Sequence, residues 1–326
     1  MPTLAILGAS GYAGQETLDR ALRHPELEVV ALGSDSLAGS SSSALDVRLN
    51  GSLPAFVGND EAAVSGADLI FLCLGNERAA AFEPPPGAVV VDLSGAHRLQ
   101  DTSLYARWYG FEHPRPHTAS AWSYALPELW PPAGPLVANP GCYATAAILA
   151  LAPLRDAIEP SSVVVDAKSG VSGAGRELKA SSHAGFVLEN VSPYRVGTHQ
   201  HAPEIAQALG FPVCFVPHLL PVRRGLLVTC YVQPGGDDLR GLLEEAYAGS
   251  DVVRVLPADV TPELGRVQHT DCAELALFDD ETTGRSIVVC ALDNLGKGAA
   301  GQAMQNANLA LGLDETLGLR LSGVLV

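Results

Sequence analysis

The sequence predicts an α/β fold in which a doubly wound parallel sheet is followed by a second α+β domain with a mixed sheet. Three observations predict it. Short apolar runs alternate with helical patterns through the first 140 residues, and a glycine turn separates the first run from the first helix. Beyond that point the runs become longer and richer in β-branched residues. A length of 326 residues makes about two domains the natural division. The predicted boundaries are 1–141 with 296–326 for a dinucleotide-binding domain, and 142–295 for a catalytic and dimerisation domain.

Residues 3–8 read as a buried strand and 12–23 as a helix stopped by His24-Pro25. Further strands are expected at 27–32, 68–74 and 88–93. The serine run 39–43, Pro84-Pro85-Pro86 and Pro131-Pro132 read as surface loops. A helical run over 144–151 follows the turn Asn139-Pro140-Gly141. The second domain then offers strands at 162–166, 213–216, 226–232 and 286–292, and a last helical pattern covers 298–311. No internal repeat is present.

Hydrophobic residues make up 47% and charged residues 17%, a composition that buries a core and excludes a long disordered tail. Twenty cations against 36 anions leave a net charge of −16, which repels a nucleic-acid backbone or an anionic membrane, so neither is expected as a partner. No apolar run reaches bilayer length and the N-terminus opens directly on a strand, so a soluble, cytoplasmic protein is expected. Six scattered cysteines without CxxC spacing argue against a zinc ribbon or a disulfide scaffold. Lysine is scarce: Lys168, Lys179 and Lys297 are the only three.

Four segments carry chemistry. Gly8-Ala-Ser10-Gly11-Tyr12-Ala-Gly14 is a GxxGxxG turn between strand and helix, where backbone N–H groups and a helix N-terminus can hold a pyrophosphate. It marks the first domain as Rossmann-like. Cys142 falls at the start of the helical run, where the positive end of the helix dipole favours a thiolate and hence a nucleophile. Ser169-Gly170-Val-Ser172-Gly173-Ala-Gly175-Arg176, flanked by Lys168, is a flexible loop with cations suited to an anion. His199-Gln-His201-Ala-Pro-Glu204 offers two imidazoles and a carboxylate, for acid/base work or for a metal. Without a cysteine cluster or an HExxH frame the acid/base reading is taken, with no metal.

Together these motifs resemble N-acetyl-γ-glutamyl-phosphate reductases, relatives of the aspartate-semialdehyde dehydrogenases. The resemblance rests on segments 8–14, 108–114 (Trp-Tyr-Gly-Phe-Glu-His-Pro), 139–143 (Asn-Pro-Gly-Cys-Tyr), 166–176, 199–205 and 293–303 (Asp-Asn-Leu-Gly-Lys-Gly-Ala-Ala-Gly-Gln-Ala), and so spans nearly the whole chain. It implies NADPH-dependent reduction of an acyl phosphate to a semialdehyde in arginine biosynthesis, through a thioester on Cys142. It also implies acid/base work by His199 or His201 with Glu204. Cofactor contacts are implied for Gly8, Ser10, Gly11, Tyr12, Gly14, Ser34, Asp35, Ser172, Gly173 and Asn294. Substrate contacts are implied for Arg98, Lys168 and Arg176, a small-molecule acyl phosphate is the implied partner, and an oligomer of identical chains is expected. The final helix is implied to return to the dinucleotide domain.

Three stretches depart from the family pattern. Ser34-Asp35-Ser36-Leu-Ala-Gly39-Ser40 stands where Ser-Arg-Ser-x-Ala-Gly-Lys is common, losing two cations that would meet an NADP 2′-phosphate. An acid about 20 residues past the glycine turn instead suits an unphosphorylated ribose, so NAD use is expected beside NADP. Gly75-Asn76 replaces a Pro-His pair, and Ser94-Gly-Ala-His97-Arg98 replaces Ser-Ala-Asp-Phe-Arg. Two competing readings are the aminoadipyl-phosphate reductase of lysine biosynthesis, one methylene longer in substrate, and a non-catalytic dinucleotide sensor.

Overall fold

The computed structural model describes residues 1–49, 53–176 and 183–323. It divides the chain into two compact units, 1–140 with 299–319, and 141–298 with 320–326.

The first unit holds a seven-stranded sheet: β1 (Thr3–Leu7), β2 (Glu28–Gly33), β3 (Phe56–Val57), β4 (Leu69–Leu72), β5 (Val89–Asp92), β6 (Ser123–Tyr124) and β7 (Leu136–Ala138). Their order is β3-β2-β1-β4-β5-β7-β6, and every pairing is parallel. Side chains alternate between two buried faces, as the near-continuous apolar runs require. Leu4, Ile6, Leu32, Leu69, Phe71 and Val91 pack on one side with Leu18 of the helix Tyr12–Ala21 and Met304 of the helix Gly301–Ala310. Ala5, Leu7, Ile70, Leu72 and Val90 pack on the other with Ala62 and Trp122. The last helix thus belongs to the first unit, against the helix Tyr12–Ala21 and β5.

The second unit is built on a mixed sheet of β8 (Val164–Gly170), β9 (Ser192–Pro193), β10 (Cys214–Leu220), β11 (Leu226–Val232), β12 (Val253–Val255), β13 (Ala273–Asp280) and β14 (Arg285–Leu292), in the order β12-β13-β14-β11-β8-β10-β9. Its pairings β8–β10 and β12–β13 are parallel, and the others are antiparallel. The helix Cys142–Leu151, apolar all round and buried, lies against β11 and β14.

Three boundaries differ from the sequence expectation. Residues 296–298 and 320–323 join the second unit instead of the first. For 320–323 the tie is Asp271, whose N–H donates to Arg320 O (2.8 Å) while its carboxylate accepts Arg320 N–H (2.8 Å), and for 296–298 it is Asp293 O, which accepts the N–H groups of Gly296 (3.1 Å) and Gly298 (2.9 Å). β8 runs on to Gly170, because Ser169 is paired on both sides, to Leu219 and to Leu226, so Lys168 and Ser169 lie on a strand rather than in a loop. In the serine run, Ser42 is buried and donates to Leu49 O at 2.7 Å. Lys179 lies outside the described residues.

Candidate active site and dinucleotide turn

The glycine turn is shaped by close approach. Gly8 has φ +79°, and a Cβ there would lie 2.2 Å from Cys73 O; a Cβ at Gly14 would lie 2.3 Å from Gly8 O. Gly11 N–H donates to Gly8 O (3.0 Å), and Gly11 caps the helix Tyr12–Ala21 without any side-chain acceptor. The first N–H groups of that helix donate to no N-cap side chain, which leaves a donor set that fits a pyrophosphate. Ser10 Oγ and Ser34 Oγ lie 2.8 Å apart, and Ser36 Oγ extends the chain of hydroxyls at 3.3 Å from Ser34.

Asp35 does not stand alone. Its Oδ1 accepts Asn59 N–H at 3.0 Å and its Oδ2 pairs with Arg78 Nη1, while Arg78 Nη2 bonds Asp60 Oδ1 at 2.7 Å. The Asn59 N–H, the Asn59 side chain and the Arg78 guanidinium together hold the carboxyl down, at about 2. Asn59 Oδ1 in turn accepts Gly8 N–H at 2.8 Å, so one residue links the glycine turn to the loop after β2. Neither Asn59 nor Arg78 carried a sequence signal.

Arg98 is buried and commits two donors to backbone, Nε to Asn139 O (2.8 Å) and Nη2 to Leu93 O (2.9 Å), which braces the strand leading to Pro140. His97 Nδ1 lies 2.7 Å from Asp92 Oδ2, and its ring stacks on Trp122.

Cys142 opens the helix Cys142–Leu151 behind Gly141, whose N-cap position carries no side-chain hydrogen bond. Gly141 N–H is instead taken by Glu204 Oε1 at 2.8 Å, with Glu204 fully buried. Glu204 lies on the helix His201–Leu209, in its acidic first turn, and its Oε2 is 4.0 Å from His201 Nε2. His201 N–H donates to His199 Nδ1 at 3.1 Å, and the two rings meet edge to face with centroids 4.7 Å apart. Tyr143 lies edge-on to both imidazoles and donates its hydroxyl to His218 O at 3.1 Å. Burial, with Arg195 adding to it, pushes His199 down to about 3, so it is neutral at pH 7. Through Glu204, His201 is thus tied to the helix start that carries Cys142.

One further glycine matters here. A Cβ on Gly298 would lie 2.8 Å from Cys142 Cβ, so the π-turn Gly296–Ala300 approaches the cysteine only because that position lacks a side chain. Ser172, Gly173 and Asn294 form one nook: Asn294 Nδ2 donates to Ser172 Oγ (2.9 Å) and Asn294 Oδ1 accepts Gly225 N–H (2.8 Å), and a Cβ on Gly173 would meet Ser169 Oγ at 3.3 Å. Lys168 Nζ pairs with Asp166 Oδ2 at 2.5 Å, with His218 Nδ1 3.2 Å from Asp166 Oδ1. Arg176 is exposed at the end of the loop. Among the described residues, no group of three His, Cys, Asp or Glu is placed to hold a metal ion.

The chain matches two family models in succession: the semialdehyde dehydrogenase NAD-binding domain over residues 3–133 and the semialdehyde dehydrogenase dimerisation domain over 142–294. These define the class, an NAD(P)-binding oxidoreductase of the semialdehyde dehydrogenase type. It is 47% identical to the N-acetyl-gamma-glutamyl-phosphate reductase of Salinispora arenicola across 98% of both chains, and 43% identical to that of Acidothermus cellulolyticus, again across 98% of both. The chain belongs to the N-acetyl-gamma-glutamyl-phosphate reductase family. Its fold is also that of aspartate semialdehyde dehydrogenase II of Vibrio cholerae, with a TM-score of 0.74 at 18% identity over 96% of this chain and 98% of the other. Among the described residues, no helix is long and apolar enough to cross a membrane.

Proposed function

We propose that the protein reduces N-acetyl-γ-glutamyl phosphate to N-acetylglutamate 5-semialdehyde in arginine biosynthesis, with release of phosphate. The observation that carries this is the 47% identity, across 98% of both chains, to a relative so named. The geometry around Cys142 supports the same chemistry. His201 takes the Sγ proton, and Sγ adds to the acyl carbon. The C–O bond to phosphorus breaks and phosphate departs with its electron pair and that proton, leaving a thioester on Cys142. The glycine turn Gly8–Gly14 would hold a reduced nicotinamide dinucleotide, which when bound would supply a hydride to bring the acyl group to the aldehyde level. Cleavage of the C–S bond then returns the thiolate, which solvent reprotonates through His201. Glu204 fixes Gly141 and so the helix start, whose N–H groups stabilise the oxyanion.

His201 is the proton carrier in this reading because His199, held neutral, uses Nδ1 to accept the His201 N–H. Arg176 and Lys168 are assigned to the substrate's anionic groups. Ser172, Gly173 and Asn294 are assigned to the cofactor together with the glycine turn.

NADPH is the donor implied by the family, and the Asp35 carboxylate together with Ser40 supports weaker NADP selectivity, with NADH also used. The comparison of kcat/KM for NADPH and NADH in wild type and Asp35→Arg tests this. A strong NADPH preference in the wild type, unchanged by the substitution, overturns it. For the reaction itself, purified protein should oxidise N-acetylglutamate semialdehyde only when NADP or NAD and inorganic phosphate are both present. Turnover that needs no phosphate, or that favours the one-methylene-longer substrate, refutes the assignment.

Identical chains are further proposed to associate through the second unit, in line with the matched dimerisation domain.

A further inference from the structure

The loop after β2 lacks cations where the family commonly has two, yet a cation reaches it from elsewhere. Arg78 sits on the helix Asn76–Ala81, 43 positions along the chain from Asp35, and its guanidinium bridges Asp35 and Asp60. Asn59 ties the same corner to the glycine turn, through its N–H to Asp35 and its side chain to Gly8 N–H. The bridge is therefore fixed to the backbone that would carry the dinucleotide, and its anchor Asp35 lies in the chain between Ser34 and Ser36, whose hydroxyls are 3.3 Å apart.

We propose that Arg78 is the residue that reads the 2′-substituent of the adenosine ribose, supplying the reduced selectivity for a phosphorylated ribose that remains when the loop after β2 carries no cation of its own. This rests on the reading that the first unit binds NAD(P). Each nitrogen of the bridge uses one hydrogen on a carboxylate, which leaves the Nε–H and one N–H on each Nη for a phosphate. Arg78 is 41% exposed, so those donors are open to a ligand. A lone arginine on a surface would swing freely; two carboxylates hold this one in a single orientation. They also cancel part of its charge, so the discrimination it provides is smaller than that of an unpaired arginine. Asp35 has both oxygens engaged within the protein and acts chiefly as the positioning residue for Arg78. Asp60 is 96% exposed and contributes charge without packing.

The test is a binding titration of the intact protein with adenosine 2′,5′-bisphosphate and with 5′-AMP, in wild type, Arg78→Gln and Asp60→Asn. Arg78→Gln should weaken the bisphosphate by roughly 10- to 100-fold, the worth of a charge-assisted contact to phosphate, and leave 5′-AMP unchanged. Asp60→Asn, at a fully solvated position that the fold does not need, should tighten the bisphosphate alone. Equal loss of both ligands in Arg78→Gln assigns Arg78 a structural role and overturns the proposal, as does undiminished bisphosphate binding. A wild type that binds neither ligand overturns the dinucleotide reading itself, which is a different failure from bisphosphate binding that ignores Arg78.

Discussion

The six cysteines separate by environment. Burial pushes the thiols of Cys230 and Cys290 far up, Cys73 to about 12 and Cys272 to about 11, which leaves these four as thiols at neutral pH. Cys214 is exposed and Cys142 stands at a helix start. Iodoacetamide should therefore modify Cys214 and Cys142, with loss of activity following Cys142 alone. Cys214→Ser should stay active and remain sensitive, whereas Cys142→Ser should lose nearly all turnover and bind NADPH as before. Turnover in Cys142→Ser at a tenth of wild type or better would remove it as nucleophile. For the imidazoles, His201→Asn should slow hydride transfer by about 10²- to 10⁴-fold, the usual worth of a positioned acid/base, with a smaller loss in His199→Asn. His199 has a separate signature. It holds no proton in the folded state above about 3, while the unfolded chain binds one below 6.5. Stability is thus lost as pH falls between these values, by up to about 1.4 kcal/mol per pH unit. Urea midpoints of His199→Gln should fall less steeply with acid over that window; parallel slopes would show that His199 is not the group responsible.

At the scale of elements, the helix Cys142–Leu151 and the π-turn Gly296–Ala300 depend on each other. Gly298→Ala places a methyl 2.8 Å from Cys142 Cβ, so the helix start must shift. Because near-attack geometry is sensitive to shifts of about 1 Å, kcat should drop by about a hundredfold. Binding of the dinucleotide, proposed for the turn Gly8–Gly14 in the other unit, should persist. If Gly298→Ala keeps wild-type kcat, the close approach has no catalytic consequence. The two turns show what a sequence can and cannot display. Gly8, Gly14 and Cys142 were legible because strand, turn and helix follow one another in the chain, and local periodicity exposes them. The extension of β8 through Ser169 was not, since it follows from pairing with β10 and β11. Glu204 stood out as a candidate from its His-x-His-x-Pro-Glu setting, but its hold on Gly141 spans 63 positions and appears only in the folded chain. Arg78 was invisible for the same reason: nothing in Asn76-Glu-Arg78 announces a partner at Asp35.

At the scale of the whole molecule, the association proposed above must bring together chains carrying −16 each. Net charge of one sign opposes association at long range, so attraction must come from apolar surface at short range. The mixed sheet provides it. Its strands bury Val228, Cys230, Val288 and Cys290 on the side of the helix Cys142–Leu151, and by alternation turn Val164, Val216, Leu227, Tyr231, Ile287 and Val289, half-buried, to the other side, where the Lys168–Asp166 ion pair, opposite Leu227 and Thr229, marks the polar end assigned to substrate. Register keeps these residues together: Val164 opposes Tyr231, Tyr231 opposes Ile287, and Thr229 opposes Val289. Among the described residues, the helical segments packed most closely on β11 and β14 are Cys142–Leu151, the short Leu264–Val267 and the single turn Pro160–Ser162, and the opposite face is the one proposed for a second copy. Sedimentation equilibrium should accordingly return twice the chain mass of 33.9 kDa. Association should tighten as salt rises from roughly 0.05 to 0.5 M, because screening weakens the repulsion between like-charged chains while apolar contact is preserved. Thr229→Glu, at the middle of that face, adds a charge where two chains would meet and should give the monomer with unchanged far-ultraviolet circular dichroism. A wild type that sediments at 33.9 kDa at every salt concentration, or a Thr229→Glu variant that stays dimeric, would place association elsewhere or remove it.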